Sequence, residues 1–391
     1  MRIVNIIRKR KKRSNLLMVE LGLSFLVLFI LFSFIIKYML FYLQPLGYTY
    51  SHVYALKIDN WSKPENEKER LQIFNSLKKE ILSFPEVQGI TNCAYVLPFT
   101  SSYAGTALDT KNNQSIQTQM FKVDDDFAKV MDVHLIEGRW FNRDDYSPDE
   151  KTIIIDQKLR SALFGNEPVI GKRFSSGKDN KDKYKIIGVY SQYKKDGEFQ
   201  EPNAGYFERF NPAEPREELL IKVKPGTGKI FESKLMQVAG TIAKDWTLNV
   251  QTLEKMHAAY LRRTLTPFVL LSILSLFLIG NTVLGQFSVL WYNISLRKSE
   301  IGLRMAVGAN KKNIYRQFIG EILTLATLGI VPGLIIAAQF PILKVFDVKT
   351  GVYLIAMLIA ALLIYLLVVL CALLPSAQAA KIQPAMALHE E

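Results

Sequence analysis

The sequence predicts an α-helical membrane protein with four transmembrane helices, both ends in the cytoplasm, and one α/β extracytoplasmic domain between helices one and two. Three observations predict it: four long apolar runs, two short basic segments beside them, and a long, nearly neutral stretch after the first run.

The runs come first. Leu16 to Leu43 carries only Glu20 and Lys37, one near each end. Thr264 to Leu296 and Thr350 to Ala380 hold no charge, and Gln317 to Leu343 holds Glu321 alone. About 20 mostly apolar residues suffice to cross the hydrocarbon core, and every run exceeds that. A soluble core helix rarely stays apolar on all sides for so long.

The net charge of +13 is unevenly placed. Arg2, Arg8, Lys9, Arg10, Lys11, Lys12 and Arg13 precede the first run with no acid among them. Residues 294–316 carry Arg297, Lys298, Arg304, Lys311, Lys312 and Arg316 against Glu300. Basic residues flanking spans mark the cytoplasmic side. A nucleic-acid reading of RKRKKR gives way to that placement, and the contact expected there is with membrane lipids. The first run is too long for a signal peptide, and no small-x-small cleavage site follows it. The order is then a basic N-terminus (1–15), TM1 (16–43), an external domain (44–264), TM2 (265–293), a cytoplasmic loop (294–316), TM3 (317–343), an external loop (344–350), TM4 (351–375) and a cytoplasmic tail (376–391).

The external domain reads as mixed α/β. A strand at 52–58, a helix at 63–84 and a strand at 87–96 open it; a strand at 219–223, a helix at 229–243 and a strand at 247–251 close it. Two such units at opposite ends suggest that they pair, with residues 97–217 inserted between them. Short strands are expected there at 116–123, 152–156 and 184–190. No catalytic or metal-binding constellation stands out. His52, His134, His257 and His389 are isolated, and Cys93 and Cys371 cannot form a disulfide within the domain. The run Asp124, Asp125, Asp126 is expected to cap a helix near Phe127, because consecutive carboxylates point in different directions. No enzymatic activity and no cofactor are expected of the chain itself.

The loop between spans two and three is the most informative stretch. Ser299 is a plausible N-cap with Glu300 in the first turn, Ile301 and Met305 share a face, and Gly308 is a C-terminal stop. Asn310 then caps a helix that runs into span three. Inside the spans there is almost no polar residue, which argues against a watery path. Glu20 and Glu321 are the intramembrane candidates, each within about two turns of the cytoplasmic end. Pro332 is expected to kink span three.

The run EIGLRMAVGANKKNIYRQFIGE strongly resembles the cytoplasmic loop of the FtsX-like/MacB-like ABC transporter permeases. VDDDFAKVMDVHLIEGRWFNRDD, IIIDQKLRSALFGNEPVIGKRF and YKIIGVYSQYK resemble family motifs of the external domain in the same order, and Pro384, Ala385 and Leu388 fit the family's closing P-x-x-A-L. The resemblance implies a porter part (about 45–96 and 218–260) with an inserted sabre part (about 97–217). It implies a dimer with a second copy or a sister permease, and an ATPase subunit docked on Ser299, Glu300, Ile301, Gly302, Leu303, Arg304, Ala306, Gly308 and Ala309. No G-x-x-x-x-G-K-[ST] is present, so the expectation is a separate cytoplasmic ATPase chain. The expected function is mechanotransmission in the bacterial inner membrane. ATP use inside would move the external domain and extrude a peptide, drug or lipoprotein, with a periplasmic adaptor or outer-membrane channel as a further partner. The alternative is an FtsX-type signalling permease that controls a cell-wall hydrolase.

Overall fold

The computed structural model describes residues 11–59, 66–100, 104–109, 115–147, 149–176, 182–210, 218–296, 301, 303, 307, 310–343, 345 and 348–379. The chain forms two units: Phe41–Thr264, and Met1–Leu40 together with Leu265–Glu391.

In the first of these, strands β1 (Val53–Ile58), β2 (Val87–Ala94), β3 (Gly105–Asp109), β4 (Ser115–Val123), β5 (Leu135–Gly138), β6 (Lys151–Asp156), β7 (Arg173–Ser176), β8 (Asp182–Tyr190), β9 (Gly205–Arg209), β10 (Glu218–Val223) and β11 (Leu248–Thr252) join one sheet. Its order is β11-β1-β10-β2-β4-β9-β6-β8-β5, with β3 on β4 and β7 on β8. β1 lies antiparallel between β10 and β11, so the two ends of the domain's sequence share a sheet as expected. Helices α2 (Glu67–Leu82) and α5 (Lys229–Ile242) cover it. Their buried residues follow helical spacing: Phe74, Leu77 and Ile81 on one, Phe231, Leu235 and Ala239 on the other. Asn66 caps α2 by accepting the Lys68 N–H, and Pro85 lies just beyond its end.

The inserted strands build a second and a third core. Along β6, Ile153 and Ile155 enter one cluster with Leu159 and Ile186, while Ile154 enters the other with Phe121 and Phe207. That is the two-residue alternation of a strand buried on both faces. The three expected inner strands are present within two residues of their bounds; β3, β5, β7 and β9 are additional. The insert joins β2 through β4 by only two residue pairs, Cys93↔Val123 and Ala94↔Lys122.

Side-chain bonds reinforce that narrow seam, and they correct the reading of the aspartate run. Helix α3 (Phe127–Met131) does begin there, but Asp126 makes no capping bond. Asp124 accepts the Thr91 hydroxyl at 2.5 Å, the Asn92 N–H at 2.8 Å and Lys78 at 3.3 Å. Asp125 bonds inside the insert instead, taking the Arg209 guanidinium of β9 in two bonds of 2.7 and 2.9 Å. Asp124 also accepts the Asp126 N–H at the start of the helix at 3.1 Å, so one local bond persists beside the tertiary ones, which satisfy donors on neighbouring elements.

The G-R motif at 138–139 has a comparable role. Gly138 sits at φ +78°, where an added Cβ would lie 2.2 Å from the Ile187 carbonyl oxygen. Arg139 then grips Asp145 at 2.5 and 2.6 Å. Burial pushes the Asp145 carboxyl up, but bonds from Arg139 and the Asn142 N–H outweigh it and hold it below its ordinary range.

The other unit contains α1 (Lys11–Tyr42), α6 (Leu253–Ser295), α7 (Lys311–Ala337), the short α8 (Gln339–Ile342) and α9 (Thr350–Ala379). Four of these helices contain spans long and apolar enough to cross a membrane: Met18–Tyr42, Leu253–Val289, Arg316–Ile342 and Thr350–Leu373. α6 starts at Leu253 rather than 265, because its amphipathic first turns carry Glu254, Lys255, Arg262 and Arg263, which an apolar-run criterion excludes. α1, α7 and α9 share a core of Phe25, Phe29, Ala326, Ile330, Tyr353, Ala356 and Ala360.

Candidate functional site

Most of the predicted docking segment lies outside the described residues: Ser299, Glu300, Gly302, Arg304, Ala306, Gly308 and Ala309. Its described members make one pattern. Ile301 is buried, while Leu303 and Val307 are 55% and 82% exposed. The Val307 N–H donates to the Leu303 carbonyl at 3.0 Å, an i to i+4 bond that places both side chains on one helical face. Asn310 accepts the Lys312 N–H at 3.4 Å and opens α7. Leu303 and Val307 thus form an outward apolar pair.

Of the intramembrane candidates, Glu20 is half-buried and Glu321 accepts from Gln317 one turn earlier at 3.2 Å. Pro332 lies inside α7, and the helix continues through it; Pro267 lies inside α6 in the same way. Proline removes one backbone donor in each case.

The spans hold more polarity than the sequence reading allowed. Ser24, Ser33, Ser275, Thr282 and Gln286 are all buried. Ser33 and Ser275 donate to carbonyls on their own helices, Phe29 and Leu271. Ser24 and Thr282 instead bond each other across α1 and α6 at 2.9 Å. A cavity of about 10 Å³ lies against Ser24, Thr282 and Gln286. Single hydroxyls inside apolar runs carry no periodic signal, so the sequence did not reveal them.

Close backbone approach was also missed. Gly22 of α1 packs on α7 so tightly that an added Cβ would lie 2.9 Å from the Gly329 oxygen, and one on Gly329 would lie 3.0 Å from the Met18 oxygen. Gly329 and Gly333 are spaced i, i+4, which is the one available signal for such a contact.

Among the described residues no group of His, Cys, Asp and Glu is placed to hold a metal ion, and Cys93 and Cys371 are free.

Comparison with known proteins places these features. The MacB-like periplasmic core domain matches residues 17–228, more than half of the chain, and the FtsX-like permease C-terminal region matches residues 272–384. The macrolide export ATP-binding/permease protein MacB of Chromobacterium violaceum is 26% identical over 324 residues, covering 78% of this chain and 48% of the relative. The MacB of Campylobacter jejuni is 22% identical over 341 residues, covering 80% and 50%. The chain thus spans about half the length of the curated relatives it matches. Among solved structures, the periplasmic region of MacB from Actinobacillus actinomycetemcomitans aligns at 13% identity and TM-score 0.39 over 56% of this chain and 96% of that one. The extracellular domain of YknZ aligns at 14% identity and TM-score 0.35 over 51% and 98%. Two family models matched in order over most of the sequence leave one assignment: the chain belongs to the FtsX/MacB-like ABC transporter permeases.

Proposed function

We propose that this chain is a permease subunit that couples ATP hydrolysis by a separate cytoplasmic ATPase to movement of its external domain. The observation that carries the reading is α6, one helix of 43 residues that follows β11 directly and contains the second span. At 1.5 Å per residue it extends for about 65 Å, roughly twice the hydrocarbon core. A helix that runs on through Pro267 with the loss of one backbone donor still passes displacement along its axis without needing a substrate path between the spans. The exposed Leu303 and Val307 supply an apolar face for the ATPase, beside basic residues that favour the cytoplasmic side.

In this reading both termini are cytoplasmic, the membrane is the bacterial inner membrane, and a second copy or a sister permease completes a dimer. The curated relatives are named for macrolide export, which supports extrusion of an envelope substrate over control of a cell-wall hydrolase. A periplasmic adaptor or outer-membrane channel is the partner that export calls for.

The test is Leu303→Glu, made in the full chain and co-expressed with a cytoplasmic ABC ATPase that co-purifies with the wild-type chain. Capture of the ATPase is expected to fall at least about tenfold, while membrane insertion is unchanged. Undiminished capture together with undiminished ATP-dependent movement of the external domain would overturn the docking surface.

A further inference from the structure

The segment between β8 and β9 holds together parts of the external unit that lie far apart in sequence. α1 ends at Tyr42, and the Phe41 carbonyl in its last turn accepts the Gln44 N–H at 3.0 Å. Lys194 meets the same carbonyl: its ammonium donates to the Phe41 oxygen at 2.7 Å and to the Glu198 oxygen at 2.7 Å. A cation at a helix C-terminus also opposes the helix dipole favourably. Lys194 is only 2% exposed, and its own N–H donates to the Leu46 oxygen at 2.9 Å. Gln192 adds a bond to the Pro45 oxygen, and the rings of Tyr42 and Phe199 stack at 5.7 Å.

Four residues further on, the same segment reaches the start of α6. The Glu198 carboxylate meets His257 Nε2 at 2.5 Å, with the two side chains 13% and 15% exposed. Gly197 sits at φ +86° directly under Tyr260, where an added Cβ would come within 2.4 Å of the ring. Phe99 packs on His257 at 4.8 Å and on Tyr260 at 5.6 Å, and the Phe99 N–H donates to the Lys195 oxygen at 2.9 Å. Burying an ammonium and a carboxylate is costly unless each is bonded, so these contacts are not incidental surface pairs. Burial draws the Lys194 ammonium down to about 8, against the pull of Glu198.

We propose that residues 192–199 form a clasp that makes the end of α1 and the start of α6 move as one piece with β8, and that Lys194 and Glu198 are its positioning residues. The proposal rests on the mechanical reading above and names the element that receives the motion. A loop that only filled space would have no reason to bury two charged groups on two different helix ends.

The test is amide hydrogen exchange in the full-length chain in lipid nanodiscs, comparing wild type with Lys194→Met and Glu198→Gln. Each variant is expected to speed exchange about fivefold or more at both ends, residues 41–46 and 253–260, while β6 and β8 keep wild-type protection. Lys194→Arg keeps the charge and is expected to restore coupling in part. If each substitution loosens only its own helix end, the clasp is overturned. Where Lys194→Met fails to insert, Gly197→Ala gives the same reading: it pushes on Tyr260 directly, and coupling requires that residues 41–46 respond as well. Adding the ATPase and ATP separates the two ideas. If both ends loosen in the variants but ATP alters neither end in wild type, the clasp stands and the ATP-driven reading falls. If ATP alters both ends while the variants act only locally, the ATP-driven reading stands and the clasp falls.

Discussion

α7 and α6 are both long and apolar, yet one is held by backbone contact and the other buries a few polar side chains, Thr282 bonded to α1 among them, while most of its apolar ones face outward. On α7, Gly329 and Gly333 let α1 approach until main-chain atoms touch, and Ala326 and Ile330 are buried beside them. On α6, Val269, Leu270, Leu276, Phe277 and Leu284 are each more than half exposed, and Gly280 has nothing near the position of a Cβ. Hydropathy gives no hint of this difference, because lipid-facing and helix-facing apolar residues look alike. Lipid tails are as apolar as leucine, so close fit rather than hydrophobicity sorts the packed helix from the bare one.

The sharpest way to break that comparison is one substitution on each helix. Gly329→Leu must push against the Met18 oxygen and Leu21, both 3.0 Å from the new Cβ. It is expected to cost about 3 kcal/mol, since neither backbone nor Cβ gives way easily. Gly280→Leu is expected to leave stability within about 0.5 kcal/mol. Steric-trap unfolding in bicelles measures both, and equal effects would show that the distinction between the helices is wrong.

The external unit relies on the opposite means, buried charge paired inside its insert, where β9 meets the end of β4. The Arg209 side chain is 7% exposed and faces Asp125, which is 31% exposed, whereas Asp126 has a side chain 53% exposed and no capping bond. Asp125→Ala strands a nearly buried cation and is expected to cost about 2 kcal/mol, at the lower end for such losses because Asp125 reaches water. Asp126→Ala, its neighbour in sequence, is expected to change stability by less than about 0.5 kcal/mol. Chemical denaturation of the full chain in detergent, followed by the external domain's tryptophan fluorescence, separates the two. If Asp126→Ala proves the costlier, the aspartate run caps the helix after all.

How much of this was legible depends on whether a feature repeats along the chain. Spans declare themselves by uninterrupted apolar residues, and α2 and α5 by the spacing of Phe74, Leu77 and Ile81 or of Phe231, Leu235 and Ala239. β5 and β9 are four and five residues long, LIEG and GYFER, too short for alternation to register. Asp124 and Asp125 read as a local cap because sequence proximity was the only partner information. Their actual partners, Thr91, Asn92 and Arg209, come from β2 and β9. His257 looked isolated for the same reason: Glu198 is remote in sequence and adjacent in space. Only Ile301, Leu303 and Val307 of the docking segment are described, so its outward face rests on the last two.

The smallest expected effect distinguishes the two units by pH. Asp156 closes β6 and caps α4 (Gln157–Phe164), accepting the Leu159 N–H at 2.5 Å and the Gly205 N–H at 2.8 Å. It is 3% exposed, and burial raises its carboxyl to about 7 although both N–H bonds pull the other way. In the unfolded chain the same carboxyl ionises near 4. Between those values the folded state holds a proton that the unfolded state has lost, so this contribution to stability is greatest at low pH and declines as pH rises toward 7. The external domain's midpoint is therefore expected to fall by several degrees between pH 5 and 7. Asp156→Asn keeps the Leu159 cap, gives up the Gly205 bond and is expected to be less stable overall with a shallower slope across that window, the remainder coming from Glu208, whose carboxyl burial also raises. No acid on α7 or α9 is buried, so the helical unit's midpoint is expected to stay level among its described residues. Thermal scans at several pH values in a Trp291→Phe background, read by tryptophan fluorescence for the external unit and by thiol labelling at Cys371 for the other, check the contrast. An unchanged slope in Asp156→Asn would place the titrating group elsewhere.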